Sequence, residues 1–164
     1  MMTCYSDLIG GARESLYMSF PYLMPNDELY SAVKLAVLSG VDVRILLPRR
    51  SRRWYQSWNS LAAAYPLMLA GVRVYFVDRS MAKCLMVSDS KVLCIGSSDF
   101  TTRALDFDFN TSAVIYSTDA AGQAASDLLD EVEGAAECHP EDYESRSIPD
   151  MFNIAVSRML MFFN

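Results

Sequence analysis

Apolar residues along this chain gather in short runs divided by polar turns, and the period of each run predicts its conformation. Residues 6–14 fit a short opening helix, and residues 15–22, SLYMSFPY, read as a buried strand broken by Pro21. Pro25 and Asn26 then supply a stop and an N-cap. Asp27 and Glu28 suit the positive end of a helix, and Leu29, Val33, Ala36 and Val37 recur on one face until Gly40 closes it. Residues 41–47, VDVRILL, predict a second buried strand stopped by Pro48. A helix from about 54 to 70 follows, with Pro66 set to kink or split it, and residues 72–77 give a third strand.

Beyond residue 80 the pattern changes. Residues 83–87 and 92–95 read as two strands joined by hairpin chemistry at Ser88, Asp89, Ser90 and Lys91. Residues 111–116 add a strand, 119–133 an amphipathic helix carrying Leu128, Leu129 and Val132, and 154–163 a closing apolar helix. Strand and helix alternate in the first half, which argues parallel pairing with helices on both faces, and the hairpin adds antiparallel strands. The expectation is an α/β fold with a mixed, mostly parallel sheet, in one domain over residues 1–164. If Ser88 pairs with Lys91, Leu85 faces Cys94 and Cys84 points to the opposite side, so a disulfide between the two cysteines is sterically wrong.

Composition narrows the function. Of 164 residues 52% are hydrophobic, enough for a sizeable core, and the net charge of −6 disfavours specific nucleic-acid binding, which rewards a basic surface. One local exception is Arg49, Arg50, Arg52 and Arg53, a cluster able to attract lipid headgroups or other phosphates, or simply to stand solvated after a strand. Cys4, Cys84, Cys94 and Cys138 form no CxxC pair and His139 is the sole histidine, so no zinc ligand set exists and the thiols read as reduced and mostly buried. His139 lies in a polar turn and is expected to face solvent. Cys84 and Cys94 sit in apolar strands where a thiolate is disfavoured. Met18, Met24, Met159 and Met161 read as adaptable core. With neither a membrane-length apolar run nor a signal-peptide pattern, the chain is expected to be cytoplasmic, or peripheral to the cytoplasmic membrane.

The stretch from 81 to 110, MAKCLMVSDSKVLCIGSSDFTTRALDFDFN, resembles the signature of the phospholipase D superfamily, HxKxxxxD followed by GSxN and RSxxxNxE. Its histidine falls at Met81, its lysine at Lys83, its aspartate at Ser88, and GSxN at Gly96, Ser97, Ser98 and Asp99. Arg103 keeps the arginine, while Ala104, Asp108 and Asn110 replace serine, asparagine and glutamate, so four of ten motif positions survive. FPYLMPNDEL, GVDVRILLP, AGVRVYFV and the closing SRMLMFF resemble the surroundings of the second catalytic half of bacterial cardiolipin synthases.

This resemblance implies a phospholipase D-like half and phosphodiester exchange through a phosphohistidine, without metal or cofactor. Met81, Lys83, Ser88, Ser97 and Asp99 would hold the catalytic positions, and Lys83, Gly96, Ser97 and Arg103 the phosphate. A thioether at Met81 can neither attack phosphorus nor carry a proton, and loss of acid–base function alone costs ~10²–10⁴-fold. A carboxylate at Asp99 repels phosphate by up to ~4 kcal/mol at 4 Å for an effective dielectric near 20, and is expected to pair with Lys83 instead.

Three functions follow from the resemblance. One is a catalytically degenerate module that dimerises or binds anionic phospholipid headgroups. Another is a cardiolipin synthase-type phosphatidyltransferase or phosphodiesterase whose histidine comes from another half or chain. A single-half nuclease is disfavoured, because a homodimer supplies Met81 twice. The partners implied are a second copy or a second phospholipase D-like half, meeting at the site.

Overall fold

The computed structural model describes residues 2–51, 53–79, 81, 83–101, 103 and 108–161, with the side chains of Met2, Leu160 and Met161 set aside. Arg52, Ala104 and the closing Phe162 and Phe163 lie outside the described residues. Helix α1 (Met2–Gly11) leads into β1 (Ser15–Ser19) and the short β2 (Leu23–Met24), Pro21 separating the two strands as expected. Helix α2 (Asp27–Leu38) is capped by Asn26, whose side-chain oxygen accepts the Leu29 N–H at 3.0 Å. After β3 (Asp42–Pro48), α3 (Trp54–Leu69) runs through Pro66 without splitting, and β4 (Arg73–Val77) follows.

The hairpin strands are β5 (Cys84–Ser88) and β6 (Val92–Gly96), succeeded by the two-residue β7 (Phe100–Thr101) and by β8 (Ser112–Tyr116). Helix α4 (Thr118–Glu133) buries Ala121, Ala125, Leu128 and Val132, a spacing of four, three and four that keeps one face inward. The chain ends in β9 (Ala136–Cys138), α5 (Pro140–Glu144) and α6 (Ile148–Met161). Strands β7 and β9 and helix α5 are too short to leave a periodic signal.

Seven strands form one sheet in the order β8-β6-β5-β1-β3-β4-β9. It is mixed and covered by helices on both faces, as the sequence predicts, but its balance is the reverse of the expected one. Only β1–β3 and β3–β4 pair in parallel, while the four other contacts are antiparallel. Alternation along the chain pointed to parallel crossovers in the first half, and the hairpin, β8 and β9 then extended both sides of that parallel centre in the antiparallel sense.

Strand alternation divides the core by face. Leu16, Met18, Ile45, Val74, Met86 and Cys94 pack with Tyr5, Ile9, Leu29, Val33 and Leu67 from α1, α2 and α3. Leu46, Tyr75, Val87 and Leu93 pack with the apolar face of α4. A buried mutual pair fastens α6 to α3: Asn59 Nδ2 donates to the Ser157 carbonyl at 3.0 Å, and Ser157 Oγ donates to Asn59 Oδ1 at 2.8 Å. The outer face of α6 is apolar yet exposed at Ile148, Phe152 and Met159, so Met159 does not join the core as Met18 does. No helix among the described residues is long and apolar enough to cross a membrane.

The hairpin register corrects the sequence reading. The turn holds three residues, Asp89, Ser90 and Lys91, so Ser88 pairs with Val92 and Met86 with Cys94. Cys84 and Cys94 therefore share the α1 face. Asp89 and Ser90 both adopt left-handed backbone, at φ 52° and 51°, and the Lys91 N–H closes the turn on the Ser88 carbonyl at 3.0 Å. The two thiols occupy diagonal positions, where Cα separations of roughly 7–8 Å exceed ordinary disulfide geometry, and all four cysteines are free.

Candidate functional site

Lys83 immediately precedes β5 and Ser97 follows β6. Because Cys84 pairs with Gly96, the next position outward sets Lys83 beside Ser97. Strand alternation places Leu85 and Val87 toward α4, where Met81 also packs. Met81 is half-buried against that apolar cluster.

Asp99 arrives from the other direction. Strand β7 pairs in parallel with β2, Leu23 opposite Phe100, and Phe100 stacks on Phe20 with ring centroids 4.6 Å apart. The Leu23 N–H donates to Ser60 Oγ on α3 at 3.0 Å. This small sheet fixes Asp99 so that its Oδ2 lies 3.3 Å from Lys83 Nζ, forming the expected ion pair. Asp99 Oδ1 is buried and has no hydrogen-bond partner among the described residues. Lys83 is 61% exposed and Asp99 27%, so solvent screens the attraction from the lysine side.

Ser97 is committed to structure. Its hydroxyl donates to Asn110 Oδ1 at 2.9 Å and accepts the Thr111 N–H at 3.1 Å, while its own N–H reaches the Thr111 carbonyl at 2.9 Å. Gly96 has a steric reason to lack a side chain, since a Cβ there would sit 2.1 Å from Ser112 Oγ and 2.7 Å from the Thr111 carbonyl. Ser98 is fully buried.

The remaining motif positions lie apart from this group. Ser88 is buried at the other end of β5, roughly 13 Å along the strand from Cys84 at ~3.3 Å per residue. The carboxylate there belongs to Asp89, one residue later, which accepts the N–H groups of Arg13, Glu14 and Ser15 at 2.8–3.1 Å. Burial alone would raise its pKa, but the three amide donors together bring it below the ordinary aspartate value. Arg103 is exposed and reaches Asp108 at 3.7 Å, and no described contact joins it to Lys83 or Ser97.

Two residues that the sequence reading did not place at the site surround it. Tyr22 follows β1, and its hydroxyl is pushed up to about 12 by burial, with the neighbouring Tyr55 and Asp99 adding to the shift. Its position beside Asp99 depends on the β2–β7 pairing, which no local pattern announces. Tyr5 is fully buried on α1 and donates its hydroxyl to Cys84 Sγ at 2.9 Å, beneath the same strand ends. Hydrogen bonds from Cys94 and Tyr5 hold the Cys84 thiol below its usual range in spite of burial, while Cys94, the donor, is pushed up. The apolar setting of Cys84 is therefore offset by donors that the strand pattern did not reveal. His139 is exposed, as expected, with its N–H bonded to Asp142 Oδ2.

A mixed sheet with helices on both faces, and a lysine and a serine brought together across a hairpin, define a phospholipase D-like domain. Residues 5–131 match the family described as cardiolipin synthase, PLD-like domain, and the chain belongs to that family. Its relatives include cardiolipin synthase 2 of Bacillus cereus, 29% identical over 145 residues, which covers 88% of this chain and 28% of the relative. A cardiolipin synthase of Listeria monocytogenes is 30% identical over 158 residues, covering 95% of this chain and 33% of the relative. The chain thus spans about a third or less of the length of these curated relatives. Among solved structures, the phospholipase D family member Nuc from Salmonella typhimurium superposes with a TM-score of 0.73 at 19% identity, over 84% of this chain and 90% of that one.

Proposed function

We propose that this domain is a degenerate phospholipase D-like half, retaining the fold and a phosphate-facing lysine but not the chemistry. The observation that carries this reading is Met81 at the attacking position next to a Lys83 already neutralised by Asp99. A thioether offers no proton at neutral pH and forms no useful phosphoryl adduct. With Lys83 paired to Asp99 and Ser97 held by Asn110 and Thr111, this group offers a phosphate dianion little uncompensated positive charge. The role that remains is pairing with a second copy or a second phospholipase D-like half, together with weak recognition of anionic phospholipid. Arg49, Arg50 and Arg53 are all exposed after β3, Arg49 also pairing with Asp78 and Arg53 with the Tyr55 hydroxyl, and this cationic loop supports the lipid contact.

The test is phosphatidylglycerol transfer and phosphodiester hydrolysis by the native chain, compared with a Met81→His, Asp99→Asn variant. No native turnover and measurable turnover by the variant are expected. Native activity would overturn the degenerate reading. It would favour the second one, a cardiolipin synthase-type enzyme completed by another half, for which the short span of this chain relative to its relatives is the supporting observation.

A further inference from the structure

One cavity has a lining that includes none of Lys83, Ser97 and Asp99. It measures about 660 Å³, within the roughly 300–1,000 Å³ of small-molecule sites, and opens where β3 and β4 end, between the first turns of α3 and the 136–150 segment. Open α/β sheets place ligands at the carboxyl ends of their parallel strands, and Arg49 and Phe76 mark those ends here. The neighbourhood of Tyr22, Tyr55, Asn59 and Asp99 forms a separate group, while Ser57, Trp58 and Leu61 of the same helix line the cavity.

The lining carries both signs of charge. Arg146 lies over the Trp58 ring at 5.5 Å and donates its Nε to the Asp142 carbonyl, and Arg49 engages Asp78 through its Nε. The terminal amino groups of both arginines stand outside these contacts. Both arginines line the same cavity, together with Cys138.

The carboxylates are partly used in the same way. Glu137 Oε2 accepts from Arg73 and Tyr75, Asp142 Oδ2 from the His139 N–H, and Asp150 Oδ2 from Ser147 Oγ, so each has a second oxygen outside those bonds. Two cations and three carboxylates around an aromatic and aliphatic floor disfavour a simple anion, which the acids repel. They equally disfavour a simple cation, which the arginines repel. The occupant that satisfies both is a molecule with an anion and an ammonium separated by a short spacer.

We infer that this cavity binds a zwitterionic small molecule of the aminoalcohol phosphate type, its phosphate between Arg49 and Arg146 and its ammonium toward Asp142 and Asp150. Its lining shares no residue with the Lys83 group, and its occupancy is tested separately from that reading. A free monoester and the diester headgroup of a zwitterionic phospholipid share this chemistry.

Trp58 reports on the site once Trp54, the only other tryptophan, is replaced. In a Trp54→Phe background, fluorescence is titrated with phosphoethanolamine, glycerophosphoethanolamine, inorganic phosphate and ethanolamine. A saturable change is expected with at least one of the first two, at least tenfold tighter than with phosphate or ethanolamine alone. The tighter of the two identifies a free monoester or a lipid headgroup as the source. Arg146→Ala should weaken binding at least tenfold and Asp150→Asn should weaken it for the zwitterion but not for phosphate, with unchanged far-ultraviolet circular dichroism confirming the fold. No saturable response to either zwitterion, phosphate binding as tightly as phosphoethanolamine, or a folded Arg146→Ala protein that binds normally would each overturn the inference.

Discussion

Lys83 Nζ stands 3.3 Å from Asp99 Oδ2, while the second oxygen of the same carboxylate is buried without a hydrogen-bond partner among the described residues. The pair cancels charge where the family signature resembled in this stretch presents a lysine and a neutral amide. Replacing Asp99 by asparagine frees the lysine and removes a repulsive carboxylate. Exposure of Lys83 reduces the gain well below the unscreened limit, leaving about 1.4 kcal/mol or tenfold in affinity for inorganic phosphate. Calorimetry at low salt should show that gain in Asp99→Asn and its loss in Asp99→Asn, Lys83→Met. Equal affinity in native and Asp99→Asn proteins would mean that the ion pair is not what closes the site.

Tyr5 ties α1 to the ends of the hairpin and β8 through Cys84 Sγ and, at 3.4 Å, Ser112 Oγ. Tyr5→Phe keeps the ring that stacks toward Phe100 and removes only these polar contacts. A loss of about 1 kcal/mol is expected, the usual net value of a buried hydrogen bond, read as a lower urea midpoint with an unchanged slope.

Asp89 anchors the hairpin turn to the chain between α1 and β1 through three amide donors, which hold its carboxyl below the ordinary value. A depressed folded-state pKa contributes stability that is present above the unfolded value near 3.9 and lost as pH falls through the folded one. Asp89→Asn should therefore be less stable than the native chain at pH 7, by about 1–2 kcal/mol, and the gap should narrow below pH 4. A gap of constant size from pH 7 to pH 3 would assign the effect to shape rather than charge.

Gly96 meets β8 so closely that an added methyl would collide with Ser112 and with the Thr111 backbone. Gly96→Ala should cost about 1–3 kcal/mol and loosen β8, visible as faster amide exchange at Ala113 and Ile115. Removing the Ser112 side chain as well should restore only part of the loss, because the Thr111 carbonyl still stands 2.7 Å from the new methyl.

Sequence alone determined the elements whose pattern is local and strong. Asn26 before Asp27 and Glu28 fixed the start of α2, and the alternation in Ile45, Leu46 and Leu47 assigned successive side chains to opposite faces of a buried strand. Residues 81–110 likewise carried the family resemblance, with Met81 where the resembled signature has a histidine, because residue identity needs no coordinates. The Lys83–Asp99 pair was also legible, since the resemblance sets these opposite charges at neighbouring positions of one motif.

Tertiary structure decided what depends on pairing between distant segments. A single extra residue in the 89–91 turn moved Cys84 to the face of Cys94, because strand side chains alternate and a one-residue change of register exchanges faces. The antiparallel β1–β5 and β4–β9 pairings, the two-residue β2–β7 sheet that sets Tyr22 beside Asp99, and the cavity joining Arg49 to Arg146 unite residues 60 to 97 positions apart. Such contacts have no local period to read, and they form only when burial of the two core faces brings the segments together.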